Sequence, residues 1–265
     1  MKRTKFWSLM AFCLCLAGTS VMTACGDDDD DEPKGGDTSV KASDLVGTWT
    51  LDDVTYVFTK DNLTISYSGD QSFNGKYTYD NGRISYTTSY DGQEYTTNAE
   101  VKLLYNKTVL VVKELMDMGD GQMGTEMAQV LYKSGKKPTT SSKDIQGTWH
   151  MYMHGDPNYI RVGVKIEGNK IEIIITPWAE RHVGTFTYEG GILKLNMTEF
   201  YSARGEHGEG WGEGDLNPAT LECSHWFTCS YEDIGDHIDK EMVFIADGKE
   251  AYGSIVGMPA IYVKK

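Results

Sequence analysis

The chain has 265 residues, 40% of them hydrophobic, and a formal charge of −14. An acidic excess with no clustered Lys or Arg excludes a nucleic-acid partner, because phosphate binding needs a basic patch. It also opposes adsorption to an anionic bilayer surface.

Lys2, Arg3 and Lys5 open the chain, followed by the apolar run "FWSLMAFCLCLAG" and the small pair Thr23-Ala24. That is the order of a secretory signal peptide, too short to span a membrane and stay. No other stretch reaches the ~18 consecutive apolar residues of a membrane helix. The segment "VMTAC" resembles a bacterial lipobox, in which cleavage leaves a lipidated N-terminal cysteine, here Cys25; Met22 departs from the commoner Leu. An ordinary secreted chain is the alternative. Residues 1–24 are thus read as a lipoprotein signal peptide whose removal takes three positive charges and no acid, moving the charge from −14 to −17.

Asp27 to Asp31 and Glu32 follow directly. Like charges in a block stay solvated, so residues 25–42 read as an acidic flexible tether. The run resembles the export signal of surface lipoproteins in Gram-negative gut commensals. The resemblance implies a palmitate-bearing outer-membrane protein facing outward; a soluble spacer on a periplasmic lipoprotein is the other reading. The lipid is the one membrane contact expected. Cys13 and Cys15 leave with the signal, so Cys223 and Cys229 remain as an even pair. An exported chain can close such a pair as a disulfide, and a free pair is the alternative where the envelope is not oxidising.

The rest is a repeat. "SDLVGTWT" at 43–50 returns as "SKDIQGTWH" at 142–150, "GKYTYDNGRI" from Gly75 returns as "GTFTYEGGIL" from Gly184, and "AQVLYKS" matches the C-terminal "AIYVKK". The units are 43–134 and 143–265, joined by a linker at 135–142. Period-two Val, Ile, Thr and Tyr, separated by Asn-Gly and Asp-Gly turns, predict antiparallel strands. The first unit offers eight: "GTWTLDDV", "TYVFT", "LTISYS", "GKYTYD", "RISYTTSY", "EYTTNAEVKLLY", "TVLVVKEL" and "AQVLYK". The second offers a comparable set. No convincing helical period occurs, so the fold class is all-β: two tandem up-and-down barrels, since closure removes exposed edges.

The L/I-x-G-T-W openings before each strand series resemble the lipocalin-like domains of bacterial surface lipoproteins. The resemblance implies that Gly47, Trp49, Gly147 and Trp149 are structural, with each Trp packed across the closed end of its barrel. The family's long C-terminal helix is missing after both units, and the second unit carries an insertion at 198–240.

That insertion holds Phe200, Tyr201, Trp211, Trp226, Phe227 and Tyr231, a candidate aromatic lid over a barrel mouth. Packing as a local satellite core is the alternative. His150 and His154 lie too far apart on a strand for one ion, and Glu206, His207, Glu209, Glu213 and Asp215 match no defined metal loop, so no metal or other cofactor is expected. No phosphate loop or nucleophile elbow occurs, and no enzyme activity is expected. Tyr77, Tyr79, Tyr86, Tyr90 and Tyr95 mostly share one sheet face. Inward, they make a hydroxyl-lined interior for an amphipathic or sugar-like ligand; outward is the expectation, because small barrels fill with aliphatic side chains. The functional expectation is capture of a small amphipathic or hydrophobic ligand, placed in the second barrel. The alternative is a protein-interaction module with filled barrels, either an accessory of an outer-membrane transporter or an adhesin.

Overall fold

β-branched and aromatic residues in alternation fit a pleated surface with one wet and one dry face, and both repeat units fold on that rule. The computed structural model describes residues 40–68, 70–90, 93–117, 123–124, 127–204, 216–230, 238–254 and 259–265. Cys25, the acidic run, Trp211, Tyr231 and the acids of the 206–215 loop lie outside the described residues.

Barrel 1 comprises β1 (Gly47–Leu51), β2 (Val54–Phe58), β3 (Asn62–Tyr67), β4 (Asp70–Asp80), β5 (Arg83–Tyr90), β6 (Gln93–Leu104), β7 (Val109–Asp117) and β9 (Ala128–Lys133). The two-residue β8 (Met123–Gly124) lies beside β7. Each strand pairs antiparallel with its successor, and β9 closes onto β1. The eight predicted runs are these eight wall strands, in order. Barrel 2 repeats the plan with β10 (Gly147–Tyr152), β11 (Ile160–Glu167), β12 (Lys170–Ile175), β13 (Glu180–Glu189), β14 (Ile192–Ser202), β16 (Glu241–Asp247), β17 (Glu250–Gly253) and β18 (Ala260–Lys264). The short β15 (Phe227–Cys229) runs beside the end of β14. Two closed eight-stranded antiparallel barrels in tandem fit a lipocalin-like pair.

One end of each barrel is stoppered by the repeated Gly-x-Trp. Trp49 is fully buried and its indole N–H donates to the Leu45 carbonyl at 2.7 Å; Trp149 donates to Ile145 at 2.9 Å. Lys133 and Lys264 lay their ammonium groups over these rings, 5.2 and 5.1 Å from the centroids. Gly47 and Gly147 hold φ of 135° and 118°, a region that L side chains rarely adopt. Leu45 ends a one-turn helix, α1 (Ala42–Leu45), whose Asp44 pairs with Lys107 of the β6–β7 turn at 2.9 Å. The chain therefore enters barrel 1 across its plugged end.

Barrel 2 is filled largely by aliphatics. Val162, Val164 and Ile166 on β11 face Ile175, Ile173 and Ile171 on β12, all buried.

The outer walls of the two barrels pack together. Leu104, Val109, Val111, Ala128 and Val130 of barrel 1 form one cluster with Val243, Ile245 and Tyr252 of barrel 2. A charged network borders it. Glu250 accepts from Lys113 at 2.7 Å, from Lys102 at 3.1 Å and from the Tyr252 hydroxyl, and Lys102 also reaches Asp247 at 3.3 Å. Burial alone would raise the Glu250 carboxyl, but the Lys113 and Tyr252 hydrogen bonds and the Lys113 and Lys102 charges hold it at about 2. The Tyr105 hydroxyl donates to the Ala246 carbonyl at 3.0 Å across the same seam.

Candidate functional site

At the end of barrel 1 away from Trp49, the inward faces stop being aliphatic. Successive inward positions on β2 and β3 are Val54, Tyr56 and Phe58, then Leu63, Ile65 and Tyr67, with Val54 opposite Tyr67 and Tyr56 opposite Ile65. Tyr77 on β4 faces Tyr86 on β5, which faces Thr97 on β6. On β7, Leu110 and Val112 point into the core, so Glu114, two residues on, shares that face, and Gln129 lies opposite Val112. Pairing and parity thus bring Tyr56, Tyr67, Tyr86, Thr97, Glu114 and Gln129 into the same lumen.

These groups interact. The Tyr56 hydroxyl, fully buried, donates to Gln129 Oε1 at 3.4 Å and also interacts with Tyr67 and Tyr86. Phe73 stacks on Tyr86 with ring centroids 4.9 Å apart. Tyr67 stands at the rim, 39% exposed although it faces inward, and Phe73, Thr97, Glu114 and Gln129 are half-buried. The result is a cup whose buried floor is Tyr56, with the partly exposed Tyr67, Phe73, Thr97, Glu114 and Gln129 above it.

Burial pushes the phenols of Tyr56 and Tyr86 well up, with the Glu114 carboxylate adding to both. Burial also raises the Glu114 carboxyl. Among the described residues Glu114 has no hydrogen-bond or ion-pair partner. Withdrawing such a group from water without a partner is unfavourable.

The tyrosine expectation is therefore corrected. Tyr77 and Tyr86 are buried, and Tyr79 packs against the core with its hydroxyl donating to the Val40 carbonyl. Aliphatics alone do not fill this lumen, and long rings reach its centre from the wall. Tyr95 is exposed on the β5–β6 hairpin, and the Tyr90 side chain lies outside the described part.

The four described residues of the proposed lid, Phe200, Tyr201, Trp226 and Phe227, do not converge; Trp211 and Tyr231 lie outside the described residues. Phe200 is buried inside barrel 2 against His182, centroids 4.9 Å apart. Tyr201 faces outward beneath the Arg181 guanidinium, 5.0 Å from its ring, with its hydroxyl on Glu199. Trp226 joins Leu216, Leu221 and Cys223 in a satellite cluster on Ile174 and Ala179. Phe227 sits on β15 opposite Ser202. The described part of the insertion is a strap on the outer wall: Leu221 occupies the space over Gly163, where a Cβ would meet its Cδ1 at 2.2 Å, and Ile160 N–H donates to the Pro218 carbonyl.

No disulfide joins Cys223 and Cys229 in this structure. Each belongs to a different pairing, Cys223 bridging Leu216 and Cys229 opposite Phe200, and Cys223 Sγ donates to the His225 carbonyl at 3.0 Å. Inside barrel 2, Nε2 of buried His182 lies 3.1 Å from Glu180. Among the described residues no group of three or more His, Cys, Asp or Glu gathers to hold a metal ion.

No family model, curated protein or solved structure matches this chain.

Of the cup residues, sequence reasoning singled out only Tyr86. The available signal was parity: Glu114 continues the alternation of Leu110 and Val112, and Tyr67 that of Leu63 and Ile65.

Proposed function

We propose that this protein is a non-catalytic, lipid-anchored protein of the outer-membrane surface that captures a small amphipathic ligand in the open end of barrel 1. The observation that carries the reading is the inward-facing set Tyr67, Phe73, Thr97 and Gln129, partly solvated around a buried floor of Tyr56 and Tyr86. Ligand sites combine apolar rings with a few converging polar groups in just this way. Barrel 2, lined by aliphatics and an internally paired His182–Glu180, serves as the partner that buttresses the first. The lipocalin-like reading is supported by the two closed barrels and their tryptophan stoppers, and the anchor by the lipobox resemblance at Cys25.

The test is native mass spectrometry of the mature chain released gently from its own cells. A discrete co-purifying mass is expected, reduced in Tyr67→Ala plus Phe73→Ala and retained in Trp226→Ala. A clean apo mass that pooled lipids, haems and glycans fail to shift sinks the capture reading and favours a protein-interaction module for an outer-membrane partner. For location, palmitate labelling is expected to vanish in Cys25→Ser, and surface protease is expected to reach the chain on intact cells.

A further inference from the structure

Inward positions around the barrel 1 cup carry one formal charge toward its open end among the described side chains, Glu114; the inward Lys133 is spent at the plugged end over Trp49. Lys113, next in sequence, points the opposite way into the seam between barrels. At the same open end the β1–β2 turn adds Asp52 and Asp53. Among the described side chains the lumen therefore offers a carboxyl with no hydrogen-bond or ion-pair partner, electron-rich phenol faces, hydroxyl and amide acceptors, and no cation toward this end.

We propose that the cup is a receptor for an organic ammonium ion, with Glu114 as the counter-charge and Tyr56, Tyr67 and Tyr86 as its aromatic walls. This rests on the reading that barrel 1 is the binding unit, and it names the chemical class. An ammonium ion returns to Glu114 the partner that folding withholds, through a charge-assisted hydrogen bond or close ion pair. Ring faces attract the same cation more strongly when water is displaced. A carboxylate, phosphate or sulfate ligand meets only repulsion there. A neutral sugar can donate a hydroxyl hydrogen bond to the carboxylate but brings no counter-charge. The acidic rim and the −14 charge of the chain add a long-range field that concentrates cations at the opening.

The experiment is isothermal titration of the mature chain in detergent at neutral pH with two isosteric pairs: choline against 3,3-dimethylbutan-1-ol, and 2-phenylethylamine against 2-phenylethanol. At least one ammonium is expected to bind about ten-fold or more tighter than its neutral twin, the scale of a desolvated cation–ring contact plus an ion pair. Glu114→Gln is expected to erase the preference by weakening binding of the ammonium member, and its cooperative urea unfolding shows separately that the variant folds. Equal affinity for both members of each pair overturns the ammonium assignment and leaves the capture reading standing. A preference that survives in Glu114→Gln, or no binding by any probe, also overturns it. Failure of the capture reading itself is distinct: a clean apo mass that pooled lipids, haems and glycans do not shift, or a native ligand mass unaffected by Tyr67→Ala plus Phe73→Ala, which moves capture away from barrel 1.

Discussion

Glu250→Gln tests how the two barrels are held together. The wild-type carboxylate takes hydrogen bonds from Lys113, Lys102 and Tyr252, and the Lys113 side chain is only 7% exposed. A carboxyl held at about 2 rather than 4.5 corresponds to about 3 kcal/mol at ~1.4 kcal/mol per pH unit. The Glu250 side chain is 35% exposed, so solvent screening reduces the expected loss to about 1–2 kcal/mol. The sign follows from the depressed value: the contribution is complete above the unfolded carboxyl range and is lost as pH falls toward 2. Urea unfolding followed by tryptophan fluorescence should show the variant less stable at pH 7, with the gap closing between pH 4.5 and about 2. A gap of equal size at both ends, or none at neutral pH, refutes the electrostatic account and assigns the seam to its apolar cluster.

Trp49→Phe and Trp149→Phe each remove an indole donor from a buried carbonyl and leave a void, an expected loss of about 2–4 kcal/mol apiece. Because they plug different barrels, the double variant should be close to additive in denaturant titration. Gly163→Val drives a side chain into Leu221; limited proteolysis within 216–230 should accelerate while global stability falls by about 1–3 kcal/mol. Glu114→Gln should stabilise the free protein at pH 7, because burial raises its carboxyl and a raised acid opposes folding when ionised. That gain should shrink as pH falls from the raised folded-state range toward the ordinary carboxylate range and be gone below it, measured by thermal unfolding against pH.

The barrels were legible because each strand of the first unit is short, alternating and bounded by turn residues, and because Gly-Thr-Trp recurs ahead of both series. The cup was only half legible. Period two placed tyrosines together on β4 and β5, but the face they take depends on how β3, β6 and β7 close around them, which no local pattern states. Glu114 ends the run "TVLVVKEL", where a polar residue reads as the strand emerging into water; closure against β6 places it in the lumen instead. The insertion misled for a related reason. Its rings suggested a lid, whereas the deciding residue was Gly163, a glycine inside a strand that marks a close approach by another segment.

The entry point of the chain gives barrel 1 a polarity. Val40 packs against the core, its carbonyl takes the Tyr79 hydroxyl, and α1 seals the stopper beside Lys107. Whatever holds the protein through its N-terminal segment therefore pulls from the stopper pole. With the proposed anchor at Cys25, the membrane lies behind the tryptophan and Tyr67 fronts the medium. On that proposal the anchor and the cup lie at opposite poles of barrel 1.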